Sequence, residues 1–442
     1  MTWLALLVLA QVDGGAVEDV AVVEDVVVAE DVVADEGPEG YTPDEAQAQE
    51  VVRFTGYLDV GFAKAFGNGS SFLSSDTRVP LDYGSDAFAP MVNSRGDVAS
   101  TDTQGRFTNG FLPRSVGIGN RPSFLINTAS VDVRVQPRGV PLFVFARVQF
   151  MPRLLPTGDV TRVDLQQAFG RYSPFKAHEL AFFLGRFDSV FGIEYLENEA
   201  NLRLGITPSL TARYTTGQGL GAKLFYRVQL PGIWSAVSLN ASATSNGTRI
   251  EALVPVFASL TGALVGAGRL GYELNLQKLQ VKLGVSGLYG DRSDVPLGLG
   301  TQWAVAGDVR VNAFGFSLAA ELTHLEDSKV KAPGIATPKQ TGLGPAELAS
   351  GFAVTGGWVR LGYTLPWTTK ALSAATLYAR YDRREGQFLG FTQLKTARWT
   401  FGARVDLWDF LALKAEYLSN RELAGAPLID NDVVTSSAVF TW

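Results

Sequence analysis

A base, a carboxylate and a hydroxyl in close company are what a hydrolytic site needs. One stretch brings them together: ELTHLEDS, with His324 beside Glu326, Asp327 and Ser328. Its surroundings do not support catalysis. A nucleophile elbow needs G-x-S-x-G, and GVSG at 284–287 fails by one position. His324 also stands at the end of a strand-like run, where a polar rim residue is the ordinary explanation. The other histidine is His178, and there is no cysteine. A thiol nucleophile, thiolate-bound zinc and a disulfide framework are thereby excluded, and a His-rich metal centre is disfavoured. Neither a phosphate-binding G-x-x-x-x-G-K-S/T loop nor H-E-x-x-H occurs, and GIG at 117–119 runs into Asn-Arg-Pro, which cannot open a dinucleotide helix. The expectation is no catalytic residue, no metal, no cofactor and no nucleic-acid partner. An outer-membrane hydrolase stays only as a distant alternative.

The chemistry-bearing residues are instead charges spaced by two. In TARWTFGARVDLW, Ala397, Trp399, Phe401, Ala403, Val405 and Leu407 share one face, while Arg398, Thr400, Arg404 and Asp406 share the other. GAKLFYRVQL sets Ala222, Leu224, Tyr226, Val228 and Leu230 against Lys223, Arg227 and Gln229. LALKAEY and SVDVRV split the same way. A period of two is the signature of a strand with unlike faces. A soluble sandwich would keep one face of each strand as dry core and would not need full charges there on strand after strand. Aqueous charges on one side and a continuous apolar band of about 9–11 residues on the other fit a tilted strand crossing a bilayer. Tyr363, Trp367, Trp399, Trp408 and Trp442 near strand ends are candidates for interfacial girdles.

Sixteen such spans can be read, at 51–64, 124–136, 142–152, 159–171, 179–188, 217–230, 233–244, 265–277, 279–290, 300–312, 314–326, 350–364, 371–382, 395–407, 409–419 and 432–442. A margin of two strands remains, because 65–123 could hide a hairpin. Lipid cannot satisfy an open sheet edge, so the sheet must close. The fold class is all-β: a closed, antiparallel, porin-like transmembrane β-barrel of about sixteen strands (14–18) over 51–442. Short connectors such as Pro231–Gly232 and Gln277–Lys278 alternate with long ones such as 189–216 and 327–349. That pattern suits short periplasmic turns and long outer loops.

A barrel of this size can hold water. Its expected lining includes Asp59, Arg147, Lys223, Arg227, Arg269, Glu273, Lys282, Asp308, Arg310, Arg360, Arg380 and Arg404. Bases outnumber acids among them, and basic rings favour anions. The overall charge of −6 hides this. Residues 1–50 carry thirteen acids and no Lys or Arg, leaving 31 acids against 38 bases in the rest. TWLALLVLA near the start reads as a short, atypical secretory signal over 1–16. Residues 17–50, with their V/A-E-D-V repeats, read as an acidic periplasmic tether without regular structure.

TGYLDVGF in the first strand, VNSRGDVA in the first loop and LGRFDSVFGIEYLENEANLRLGITPSLTARYTTGQGLG in the middle resemble an uncharacterised family of porin-like outer-membrane proteins of Gram-negative bacteria. The resemblance implies a bacterial outer-membrane channel for passive diffusion of small hydrophilic solutes, with a possible homotrimer. It also implies that loop 189–216 folds inward as a constriction carrying Glu194, Glu197, Glu199, Arg203 and Arg213. The end of the chain, with Val434, Ala438, Phe440 and Trp442 on one face, resembles the signal read by the outer-membrane assembly machinery. The family usually ends in Phe, so Trp442 is a departure that keeps a large aromatic. A plugged or adhesin-type barrel, stopped or capped by loop 65–123, is the alternative.

Overall fold

The computed structural model describes residues 52–65, 98–101, 107–112, 123–155, 158–175, 179–197, 199–215, 217–231, 234–245, 264–294, 298–327, 352–388, 394–422 and 432–442. Its strands are β1 (Val52–Ala65), β2 (Val98–Thr101), β3 (Phe107–Leu112), β4 (Ser123–Val135), β5 (Leu142–Leu155), β6 (Gly158–Tyr172), β7 (Glu179–Asp188), β8 (Gln218–Leu230) and β9 (Ser235–Ser245). They continue with β10 (Leu264–Leu276), β11 (Leu279–Asp294), β12 (Gly298–Ala313), β13 (Phe316–Asp327), β14 (Phe352–Thr364), β15 (Leu372–Phe388), β16 (Leu394–Leu407), β17 (Leu411–Glu422) and β18 (Val433–Thr441). All except β2 and β3 join in one closed antiparallel barrel, each strand paired with its chain neighbour and β1 paired with both β4 and β18. These are the sixteen spans read from the alternation. The hairpin allowed for inside 65–123 exists as β2 and β3, but it pairs only with itself and adds nothing to the wall. Among the described residues no helix is long and apolar enough to cross a membrane.

Several strands run beyond their expected ends. β11 continues to Asp294, β12 begins at Gly298 and β15 reaches Phe388. Apolar alternation marks only the part of a strand with unlike faces, whereas ladder hydrogen bonds continue where both faces are polar. One turn also sits differently from its expected place. The β12–β13 reversal uses Phe314 and Gly315, with φ of 54° and 81°, the positive pair that a two-residue hairpin needs to match strand twist.

The two faces are physically distinct. Val285, Leu322, Leu361 and Phe401 point outward and are more than half exposed. Removing one such side chain from water stabilises by about 1.5–3 kcal/mol, which lipid can supply and solvent cannot. Phe316 with Tyr363, and Trp408 with Phe410, pair at the end where the termini lie. Trp399 meets Tyr381, ring centroids 4.8 Å apart, about eight residues further along. At a rise of about 3.3 Å and a tilt of about 45°, that separation is roughly 20 Å, near the height of a barrel's apolar band.

Closure is local and specific. Gly56 and Trp442 exchange both backbone hydrogen bonds, each 3.1 Å. The Trp442 ring lies across Gly56, where a Cβ would overlap the Ser130 carbonyl oxygen and press on that ring. Val434, Ala438, Phe440 and Trp442 all face outward, while Val433, Thr435, Ser437 and Val439 are buried on the inner side. The expected signal peptide, the acidic tether and the plug or cap within 66–97, 102–106 and 113–122 lie outside the described residues.

The lumen and its inward loop as the candidate functional site

β7 has ten residues and stops at Asp188, while β6 extends ten positions, to Gly158, beyond Ala168, the partner of Arg186. The chain therefore leaves the wall part-way up. Ser189 N–H donates to the Gly217 carbonyl at 2.8 Å, closing the neck of a loop that turns into the barrel. Apolar contacts seat it first. Val190 and Phe191 bury against Val265, Ala267, Leu288, Ala304, Ala306, Leu325 and Val354 on the inner wall. Ile193 packs on Ala319 and Trp358, and Ala200 on Tyr57, Ala412 and Val439.

A loop inside a barrel has backbone groups with no ladder to join, and each must find a partner. Here the wall provides partners of the right sign. Glu321 accepts from Ile193 N–H at 2.6 Å, and Arg269 donates to the Gly192 carbonyl at 3.2 Å. Glu416 accepts from Ile206 and Thr207 N–H at 2.8 and 2.9 Å and from Tyr378 O–H at 2.5 Å. Arg380 donates to the Thr207 and Pro208 carbonyls at 2.9 and 3.0 Å. Arg404 reaches the Arg203 carbonyl at 3.1 Å, and Lys414 Nζ sits among the carbonyls of Ala200, Arg203 and Gly205. Gly192 has φ of 73°, and a Cβ there would stand 2.6 Å from a Glu321 carboxylate oxygen, so the close approach requires glycine.

The loop acids are held individually. Glu197 forms a bidentate pair with Arg360 at 2.6 and 2.7 Å. Burial pushes its carboxyl up, but Arg360, Arg310 and Arg380 outweigh that and bring it down to about 2. Glu199 accepts from Tyr57 O–H and Gln149 N–H at 2.5 Å each and lies 3.0 Å from Arg147, which also pairs with Asp132 at 2.6 Å. Glu194 accepts from Ser209 N–H at 2.6 Å, folding the loop on itself. Arg203 is buried, and the Arg213 side chain lies outside the described residues.

The other expected lining residues all stand on the inner face. Arg227 bridges Glu179 and Glu273 at 3.1 and 2.7 Å, and Lys282 lies 3.6 Å from Glu273. Arg269 pairs with Asp308 at 2.7 Å and Arg404 with Asp406 at 2.8 Å. Asp59 accepts from Ser437 O–H, and Arg310 is half-buried on β12. His324 faces outward instead. Its Nδ1 lies 2.7 Å from Thr355 Oγ1 and its ring 5.1 Å from that of Trp303, and no carboxylate among the described residues pairs with it; Ser328 lies outside the described residues.

Sequence reading missed the inward aromatics. Phe145, Phe169, Phe183, Phe187 and Phe225 form a buried cluster on the inner side of β5–β8. Lys223 Nζ lies 4.2 Å from the Phe183 centroid, and the Arg147 and Arg171 guanidinium carbons lie 5.4 and 5.6 Å from Phe145 and Phe183. Such contacts are worth about 0.5–2 kcal/mol and fix where a long basic side chain holds its charge. The signal was present: Phe145 stands two residues from Arg147, hence on the same face. Between this wall and the loop lies a cavity of about 360 Å³, reached by Arg53, Arg134, Lys223, Phe169, Phe187 and Leu202.

No family model matches the chain, and no curated protein does. The resemblance carried by the block from Leu184 to Gly221 is therefore not tied to any identified family. Solved structures do match in outline. The outer membrane channel DcaP of Acinetobacter baumannii is 12% identical with a TM-score of 0.49, covering 88% of this chain and 97% of its own. An anion-selective porin from Comamonas acidovorans is 10% identical with a TM-score of 0.47, covering 88% and 99%. OmpT of Vibrio cholerae is 10% identical with a TM-score of 0.47, covering 88% and 97%. None of the three shares enough sequence or backbone geometry with this chain to lend it a function.

Proposed function

We propose that this chain is a bacterial outer-membrane diffusion channel for small hydrophilic solutes, narrowed by its inward loop and mildly selective for anions. One observation carries the reading. The loop at 189–217 is anchored inside a closed barrel by wall charges, and the space left beside it is bordered by Arg53, Arg134, Arg147 and Lys223. The same space is bordered by Asp132, Asp188, Glu199 and Asp409, of which Asp132 and Glu199 are paired with Arg147. The anion preference is carried by the excess of bases over acids beyond residue 50, 38 against 31, acting on a passing ion in a confined, low-dielectric passage. Lipid is the partner of the outer face, and the aromatic end of β18 is the segment offered to the assembly machinery. An even strand number puts both ends of the barrel, and with them the N-terminal tail, on the periplasmic side. A homotrimer remains part of this reading, and cross-linking in native membranes tests it.

The ion preference has a direct test. In a planar bilayer under a KCl gradient, the reversal potential should take the sign of chloride selectivity; a clear potassium preference contradicts the proposal. A second reading, a plugged barrel, is favoured by the number of wall strands that grip the loop and by the full burial of Arg384, Arg398 and Asp382 on the inner face. Swelling of proteoliposomes in small sugars separates the two, since a plugged barrel gives none.

A further inference from the structure

The charges of this chain are concentrated in two places that its topology brings together. Residues 1–50 carry thirteen acids and no Lys or Arg, with pairs of acids set among valines in AVEDVAVVEDVVVAEDVV. That segment enters the wall at Val52, at the same end of the barrel as Trp442. The inner face at this end has an excess of bases. Within three residues of the strand ends there, the described residues include four inward acids, Asp132, Glu179, Glu273 and Asp406, and eight inward bases, among them Arg53, Arg134, Arg171 and Arg310. The four acids are already engaged: Asp132 by Arg147, Glu179 and Glu273 by Arg227, and Asp406 by Arg404. The described turns at this end add Arg138, Lys278 and Lys370 against Asp409, all exposed. Arg53 and Arg134 stand directly opposite each other in the ladder between β1 and β4. Like charges placed so destabilise a strand pair, and an anion lying against both relieves that repulsion. Arg53 is also the residue after the point where the acidic segment joins the wall, and it borders the cavity beside the inward loop together with Phe169, Leu196 and Leu202. Acids interspersed with valines match a surface of bases interspersed with apolar groups. A segment attached beside its own site has an effective concentration there on the order of millimolar, so weak contacts suffice to hold it.

We propose that residues 17–50 dock on the basic end of their own barrel, with carboxylates on Arg53, Arg134 and the bases of the turns, and hold back anions that would otherwise enter there. The inference deepens the channel reading and rests on it only for the effect on current; docking is tested without conduction. The chain has no cysteine, so a nitroxide on Val33→Cys labels the folded full-length protein in detergent at one place. At about 0.05 M KCl its spectrum should contain an immobilised component. At about 1 M, where charges are screened beyond about 3 Å, that component should be lost. Replacing Arg53 and Arg134 together by Gln should free the label at low salt. Replacing every Asp and Glu of 17–50 by Asn and Gln, a change that leaves the barrel untouched, should do the same. A label that is mobile at both salts, or that stays immobilised in the acid-neutralised protein, overturns the inference. An immobilised component that grows with protein concentration overturns it too, because the segment would then sit on a neighbouring molecule. If the arginine variant does not fold, the acid-neutralised protein decides. In a planar bilayer at low salt, the acid-neutralised protein should carry at least about twofold more chloride current than the unaltered one, and the two should converge at about 1 M KCl. Equal currents at low salt overturn the control of anions. A segment that docks in a protein that does not conduct keeps the contact and loses the channel.

Discussion

Glu197 and Arg360 lie far apart in sequence yet form a two-point ion pair that ties the loop to the wall. The carboxyl is depressed to about 2, with Arg360 the main opposing force to burial. A depressed folded value means the anchor's contribution is fully present above the unfolded carboxylate value of about 4.3 and is lost as pH falls through about 2. Glu197→Gln should therefore lower the thermal midpoint at pH 7, and the gap from the unaltered protein should close between about pH 4 and pH 2. Intrinsic fluorescence on heating measures it; a gap unchanged at pH 2 contradicts the assignment. The site was half legible at this scale. Period two placed Arg269, Glu273, Lys282 and Asp308 on the inner face, because facing depends only on local alternation. Pairing was not legible, since which charge meets which depends on barrel curvature and on the path of a loop that has no period. Tyr57, Gln149 and Tyr378 escaped notice for a related reason: uncharged polar groups give no signal until their partners, Glu199 and Glu416, are in place.

Strands were the most legible elements, because a wall between lipid and an interior of charges enforces unlike faces along its whole height. Their outer ends were less so, as β15 running on to Phe388 illustrates. The seam joins elements from the two ends of the barrel segment and depends on a single small residue. Gly56→Val would drive a side chain into the Ser130 carbonyl and the Trp442 ring. Overpacking costs about 1–3 kcal/mol where neighbours can shift, and here one neighbour is backbone. The variant should lose the heat-resistant fast migration of a closed barrel on gels well below the temperature at which the unaltered protein does. Equal heat resistance would show that the seam does not need glycine. Loss of Phe440 and Trp442 should impair insertion into the outer membrane in cells, and normal insertion would count against the outward aromatic end as an assembly signal.

For the whole molecule, a sixteen-strand wall encloses more space than side chains alone can fill, and the chain fills much of it with its own backbone. Val190, Phe191 and Ile193 give the loop an apolar seat inside the barrel. Wall carboxylates and guanidinium groups satisfy its amides and carbonyls, which explains why so many inner charges are buried rather than bathed in water. Composition could announce a charged lumen but not this use of it, because the same residues would serve an open, solvated pore. What remains beside the loop is the only passage the account requires. The most direct test compares single-channel conductance of the full-length protein in a planar bilayer with that of a variant lacking residues 194–203. Discrete openings that grow larger in the deletion are predicted. Steps of equal size, or no steps from either protein, would contradict a channel narrowed by its inward loop.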